Sequence, residues 1–182
     1  MLHAKQDLQM ETEPIAKIEP KGNFEFSFLF KNHATSLISA YIFVLLGVLL
    51  AMDCVRICGT DVHFWPEGKI DPDVVKDPLV LGHEESGVVC EIGKDVKDLK
   101  VGGRVAIEPG TYCRNCQLCR QGRYNLCPFM KFPSYLPADG LLQLYFKQNS
   151  DTCYKLSDHL TMEVGALCET LTMGVAGARR AN

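Results

Sequence analysis

The chain has 182 residues, enough for one domain with its own core and too few for two large ones. Hydrophobic residues at 47% and charged residues at 23% are ordinary for a globular protein, and a net charge of −3 gives no pull toward nucleic acid or an anionic lipid surface. Nine cysteines, an odd count with tight local spacing, point to metal ligation in a reducing compartment, not to a disulfide framework.

Residues 1–23 are polar and charged and do not read as a signal peptide; loose alternation interrupted by Pro14 and Pro20 predicts a short edge strand and a turn. From Ala34 to Met52 no residue is charged, which puts this run at the margin of the ~20 apolar residues a bilayer span needs. It reads either as a membrane segment or as an apolar stretch leading into a buried strand. Around Asp53–Trp65 a β-branched run meets Gly59, so a strand ends and a short helix begins, with Thr60 or Asp61 as its cap.

A polar loop follows from Pro66 to Asp77. Leu79–Gly93, broken by Gly82 and Gly87, predicts two short strands, and Val96–Ile107 a turn and a strand. Pro133–Gly140 is a proline-rich turn, and Leu141–Tyr154 alternates as a strand pair. Leu160–Met173 predicts a helix starting at Thr161, with Val164, Leu167, Cys168 and Leu171 on one face. Many short strands with glycine and proline turns make a mainly β fold with minor helix, a barrel or a sandwich.

Between Gly110 and Pro128 four cysteines, Cys113, Cys116, Cys119 and Cys127, arrive as C-x2-C-x2-C-x7-C. Two-residue spacers let neighbouring sulfurs converge on one ion, and four thiolates around a tetrahedral ion make a closed structural zinc site. Clustered disulfides and an iron–sulfur cluster are the alternatives. Cysteines this close in sequence make poor cross-links, which favours zinc. Cys58, His83 and Glu84 form a second, mixed set. A catalytic zinc takes three protein ligands and keeps one position open, and sulfur, nitrogen and carboxylate satisfy that chemistry. By ligand type alone this second signal is weak.

Taken together, Cys58-Gly-Thr60-Asp61-Val-His63, Gly82-His83-Glu84-Glu85-Ser-Gly87, Gly102-Gly-Arg-Val-Ala, Glu108-Pro-Gly and the four-cysteine loop resemble the zinc-containing medium-chain alcohol/polyol dehydrogenases, above all the sorbitol and xylitol dehydrogenases. The resemblance covers about residues 48–180, and residues 5–23 more faintly. It implies a GroES-like β-barrel catalytic domain over 48–182 with a structural-zinc lobe at 110–128 projecting from it, a partial strand region at 1–23 and an apolar insert at 24–47. Cys58, His83 and Glu84 would hold catalytic Zn2+, with Glu169 reaching the metal directly or through its water. Thr60 would relay the substrate proton, and Asp61 would orient a zinc-bound histidine. NAD would accept hydride from a small-molecule polyol in the cytoplasm, without nucleic acid. The family is homotetrameric, an expectation that does not carry over simply to this shorter chain.

Several features depart from the family. No strand followed by G-x-G-x-x-G is present, so NAD is not bindable by these residues, and the chain reads as an incomplete, inactive fragment. The alternative is a non-enzymatic zinc-binding module, with a membrane attachment through 34–52 if that run inserts. Phe64 stands where a substrate-side tyrosine is usual, Arg56 replaces a small residue, and Cys168 and Thr170 flank Glu169 unusually. Arg56 in a strand is costly unless it points outward or is paired.

Overall fold

The computed structural model describes residues 2–4, 7–8 and 45–181. Residues 24–44 of the apolar insert, and with them the first part of the 34–52 run, fall outside these. Near the N-terminus β1 (Leu2–Ala4) pairs antiparallel with β2 (Asp7–Leu8), so two short strands stand where one edge strand was expected. The main body is a five-stranded antiparallel sheet built from β3 (Gly47–Arg56), β6 (Glu84–Ile92), β7 (Arg104–Ile107), β8 (Tyr145–Asn149) and β9 (Cys153–Lys155). Its order is β8-β3-β6-β7-β9. Two further short strands, β4 (Lys69–Ile70) and β5 (Asp73–Val74), pair with each other.

β3 takes up the last six residues of the apolar run, 47–52. Val48, Leu49 and Leu50 are buried, and the strand pairs with β6 on one side and β8 on the other. Among the described residues no helix is long and apolar enough to cross a membrane. Val48 and Leu50 join Val89, Leu99, Val105, Ile107, Leu141 and Cys153 in the main core.

The register of β3 on β6 sets the position of everything that follows. Val48 faces Ile92 and Leu49 faces Glu91; the pairing then slips by one at Leu50↔Val89 and slips back at Cys54↔Ser86. Each strand absorbs one extra residue, so the two irregularities cancel and Arg56 faces Glu84. Gly87 lets the strands approach, since a Cβ there would stand 2.8 Å from the Ala51 carbonyl oxygen.

Three sequence expectations are corrected. Leu79–Gly93 holds one strand, β6, and not two, because Gly82 adopts a left-handed φ of 94° and residues 78–83 run irregularly before the strand. The pair expected over Leu141–Tyr154 splits to opposite edges of the sheet, β8 joining β3 and β9 joining β7. The C-terminal helix α3 (Met162–Ala181) buries Gly165 and Ala166, while Val164, Leu167 and Leu171 are exposed and Cys168 is half-buried. A Cβ on Gly165 would lie 2.9 Å from that of Ser86, so small residues bring this helix close to the sheet. The helix is tied down at its start, where the Ser86 hydroxyl donates to the Met162 carbonyl and Arg104 donates to the carbonyls of Ser157 and Leu160.

The first helix, α1 (Gly59–Glu67), is preceded by Cys58, so the cap lies before Thr60 and Asp61. Asp61 closes the helix start from inside by accepting the Cys58 backbone N–H at 2.9 Å. Phe64 is fully buried with Leu79 and Leu81, edge-on to Tyr135. It packs as part of this second core cluster. Cys153 is a core thiol as expected, whereas Cys54 and Cys90 are half-buried.

Candidate metal centres

The four-cysteine lobe is built by short-range turns. Arg114 takes a positive φ of 60° after Cys113, and α2 (Gln117–Arg120) starts at Cys116, whose Sγ accepts the Cys119 backbone N–H. A left-handed Gly122 then redirects the chain toward Cys127. The lobe is pinned by a bidentate Arg114–Asp151 pair, by Arg114 over the Tyr112 ring, and by stacking of Tyr112 on Tyr124.

All four sulfurs lie within 4.8 Å of one another. Separations of 3.5 Å (Cys116–Cys119), 3.9 Å (Cys113–Cys119) and 4.0 Å (Cys116–Cys127) bracket the roughly 3.8 Å edge of a tetrahedron with 2.3 Å zinc–sulfur bonds. Backbone N–H groups of Cys113, Cys116 and Cys119 point at these sulfurs, an arrangement that favours thiolate. The N–H groups of Asn115 and Cys116 hold the Cys113 pKa down to about 6. Burial, then the neighbouring sulfurs, push Cys119 up to about 12. Four thiolates therefore do not coexist without a cation among them, and a bound zinc removes that obstacle by deprotonating its ligands. The described cysteines are all free, so the disulfide alternative has no support.

The second cluster forms where the end of β3 meets the start of β6. Ligand atoms of Cys58, His83 and Glu84 lie within 4.8 Å of one another. His83 and Glu84 are buried, and Cys58 is partly open. His83 Nδ1 has no hydrogen-bond partner, and Glu84 Oε2 meets the Arg56 guanidinium at 2.7 Å. Buried polar atoms left unpaired are costly, and a metal is the group that would satisfy this sulfur–nitrogen–oxygen set.

Asp61 supports the cluster through the backbone. Its carboxylate accepts N–H from Cys58 and, at 3.1 Å, from Gly82, and the Ser134 hydroxyl at 2.8 Å. Both amides belong to or adjoin a candidate ligand. Its oxygen is 4.0 Å from His83 Nδ1, beyond hydrogen-bond distance, so the orientation of His83 comes also from Phe132, 5.3 Å away ring to ring. Thr60 Oγ1 is 3.8 Å from Cys58 Sγ.

Glu169 is half-buried on α3 and is not one of the groups in the cluster. Burial, then the charge of Glu84, raise its pKa, while Arg56 opposes the rise. His63 and His159 are exposed.

Two further residues bear on this region. Arg56 is paired, with Nη1 2.7 Å from Glu84 Oε2 and 2.6 Å from Thr170 Oγ1. The first contact is an ion pair that neutralises the Glu84 carboxylate. Glu85 is 1% exposed, and neither of its carboxyl oxygens has a hydrogen-bond partner. Burial first, then the charge of Asp61, raise its pKa to about 9.

The folded pKa of Glu85 exceeds the unfolded one, so its contribution to stability is full below about pH 4.3 and is lost as pH rises toward 9. Glu85→Gln removes that loss. Its gain in a urea melt is expected to be larger near pH 8, on the order of 2–5 kcal/mol, than near pH 5. An equal shift at both values would contradict the assignment.

A mainly β domain bearing a four-cysteine lobe and a separate Cys/His/Glu cluster defines a class with two candidate metal sites. The family model for the alcohol dehydrogenase GroES-like domain matches residues 47–158, and the chain belongs to that family. It is 52% identical over 133 residues to sorbitol dehydrogenase of Macaca fascicularis, covering 73% of this chain and 37% of that protein. It is 51% identical over 181 residues to sorbitol dehydrogenase of Gallus gallus, covering 100% of this chain and 44% of that protein. Among solved structures it resembles L-idonate 5-dehydrogenase of Escherichia coli at a TM-score of 0.70 and 32% identity, covering 75% of this chain and 40% of that one. The chain thus spans less than half the length of these relatives.

Proposed function

We propose that this chain supplies the metal-holding part of a zinc-dependent polyol dehydrogenase, which oxidises a secondary alcohol of a sorbitol-type substrate to a ketone with NAD. The observation that carries the reading is the convergence of Cys58, His83 and Glu84, with His83 Nδ1 buried and without a hydrogen-bond partner, in a chain similar to proteins named sorbitol dehydrogenase. Zinc at such a site lowers the pKa of an alcohol held at its open position. Cys58, His83 and Glu84 would offer it a sulfur, a nitrogen and a carboxylate oxygen. Thr60 lies beside Cys58, placed to pass the hydroxyl proton outward. Glu169, its pKa raised by burial and by Glu84, borders the same space and contacts the polyol.

NAD, when bound in such an enzyme, would take the hydride that leaves the alcohol carbon, and the hydroxyl proton would leave by way of Thr60, which balances the oxidation. On this reading NAD is held by parts of such an enzyme outside these 182 residues, and the compartment is the reducing cytoplasm, in keeping with nine free cysteines. Cys113, Cys116, Cys119 and Cys127 hold a second zinc with no open position. No nucleic acid is involved.

The test is polyol binding to the cobalt-loaded chain. Sorbitol is expected to shift the visible bands of the mixed site and leave the all-thiolate bands unchanged. A His83→Ala variant should lose the response. Bands of the mixed site that ignore sorbitol at saturating concentration would overturn the polyol reading.

A further inference from the structure

The deepest departure from the family pattern lies on the candidate metal itself. Arg56 and Glu84 are directly paired across β3 and β6, and side chains of such a pair share one face of the sheet. The cancelling bulges deliver this pairing, so the guanidinium is driven onto Glu84 by register. Glu84 is buried, its side chain 4% exposed, whereas that of Arg56 is 38% exposed and reaches in from the rim. Thr170 then fixes the guanidinium from α3, accepting from the same Nη1 at 2.6 Å. Arg56 and Thr170 are two of the residues by which this chain departs from the pattern it otherwise resembles, and the fold brings them together.

We infer that Arg56 competes with the metal for Glu84, and so sets how tightly the Cys58/His83/Glu84 site holds a divalent cation. This rests on the reading of that cluster as a metal site. Two effects act in the same direction. Without metal, the guanidinium neutralises a buried carboxylate that would otherwise stand alone. With metal, a fixed positive charge lies against a ligand oxygen and repels the cation. Removing Arg56 therefore raises the energy of the metal-free state and lowers that of the loaded state. Metal binding tightens while the empty protein weakens. A residue that merely packed or helped orient Glu84 would not produce this opposition.

Arg56→Met keeps length and removes charge, Arg56→Lys keeps the charge, and Thr170→Val frees the guanidinium from α3. The experiment is a zinc titration of the full chain by calorimetry, with the phase absent from Cys58→Ser assigned to the mixed site. Thermal melts in EDTA and in excess zinc accompany it. Arg56→Met is expected to tighten that phase by about tenfold or more. Arg56→Lys should stay within about threefold of the parent, and Thr170→Val should fall between, since the charge remains but is less well aimed. In EDTA Arg56→Met should melt below the parent, and zinc should close the gap. Unchanged or weaker zinc affinity in Arg56→Met would overturn the inference. If that variant does not fold, unchanged affinity in Thr170→Val overturns it instead. A parent chain with no Cys58-dependent phase would take down the metal reading itself, and this inference with it.

Discussion

A Cys116→Ser, Cys119→Ser double variant is expected to retain about one zinc equivalent less than the parent chain. The ligands come from within fifteen residues, so little chain entropy is spent in closing the loop before the metal bonds form. These two sulfurs are 3.5 Å apart, the shortest of the three sulfur–sulfur separations given above, and the Cys116 sulfur also accepts the Cys119 backbone N–H that shapes α2. Serine hydroxyls do not replace thiolates for a soft tetrahedral ion. Proton competition adds a pH signature: the raised Cys119 must give up its proton to bind, so zinc affinity should climb with pH. Elemental analysis after dialysis reads the result, and equal metal content in the two proteins would contradict the assignment.

Asp61→Ala is expected to be the most damaging single change outside the ligands, costing about 3–5 kcal/mol in a denaturant melt. Asp61 is 2% exposed and serves three donors: the amides of Cys58 and Gly82 and the Ser134 hydroxyl. Alanine leaves all three buried and unpaired. Because two of them frame Cys58 and His83, the mixed site should also bind metal more weakly, while the four-cysteine lobe, tied instead to Asp151, should keep its zinc. Asp61→Asn should cost less but still destabilise, since its amide nitrogen must face a backbone N–H. A stability loss within about 0.5 kcal/mol, the range of a neutral surface change, would show that Asp61 does not join these segments.

The four-cysteine lobe was legible because its ligands are neighbours in the chain, and spacing alone brings their sulfurs together. Cys58, His83 and Glu84 were legible only through the resemblance, since no spacing rule links residues this far apart. Three things were not legible. The two compensating bulges between β3 and β6 leave alternation intact on either side, so the pairing of Arg56 with Glu84 could not be counted from sequence. The strands β8 and β9 look like a hairpin because they are adjacent in the chain, yet the short turn at Ser150–Thr152 sends them to opposite edges of the sheet. In α3 the large apolar residues drew the packing face toward Val164, Leu167 and Leu171, whereas close approach to the sheet is made by Gly165 and Ala166. One earlier signal was available: a strand arginine needs a partner.

The central claim is that chain-distant Cys58, His83 and Glu84 close a metal site of their own, separate from the four-cysteine lobe. Cobalt substitution tests it directly, because all-thiolate and mixed sulfur–nitrogen–oxygen sites absorb differently. The cobalt-loaded full chain should show both signatures, and Cys58→Ser should remove the mixed one alone. A full chain showing only the all-thiolate bands, with a spectrum unchanged in Cys58→Ser, would contradict the account.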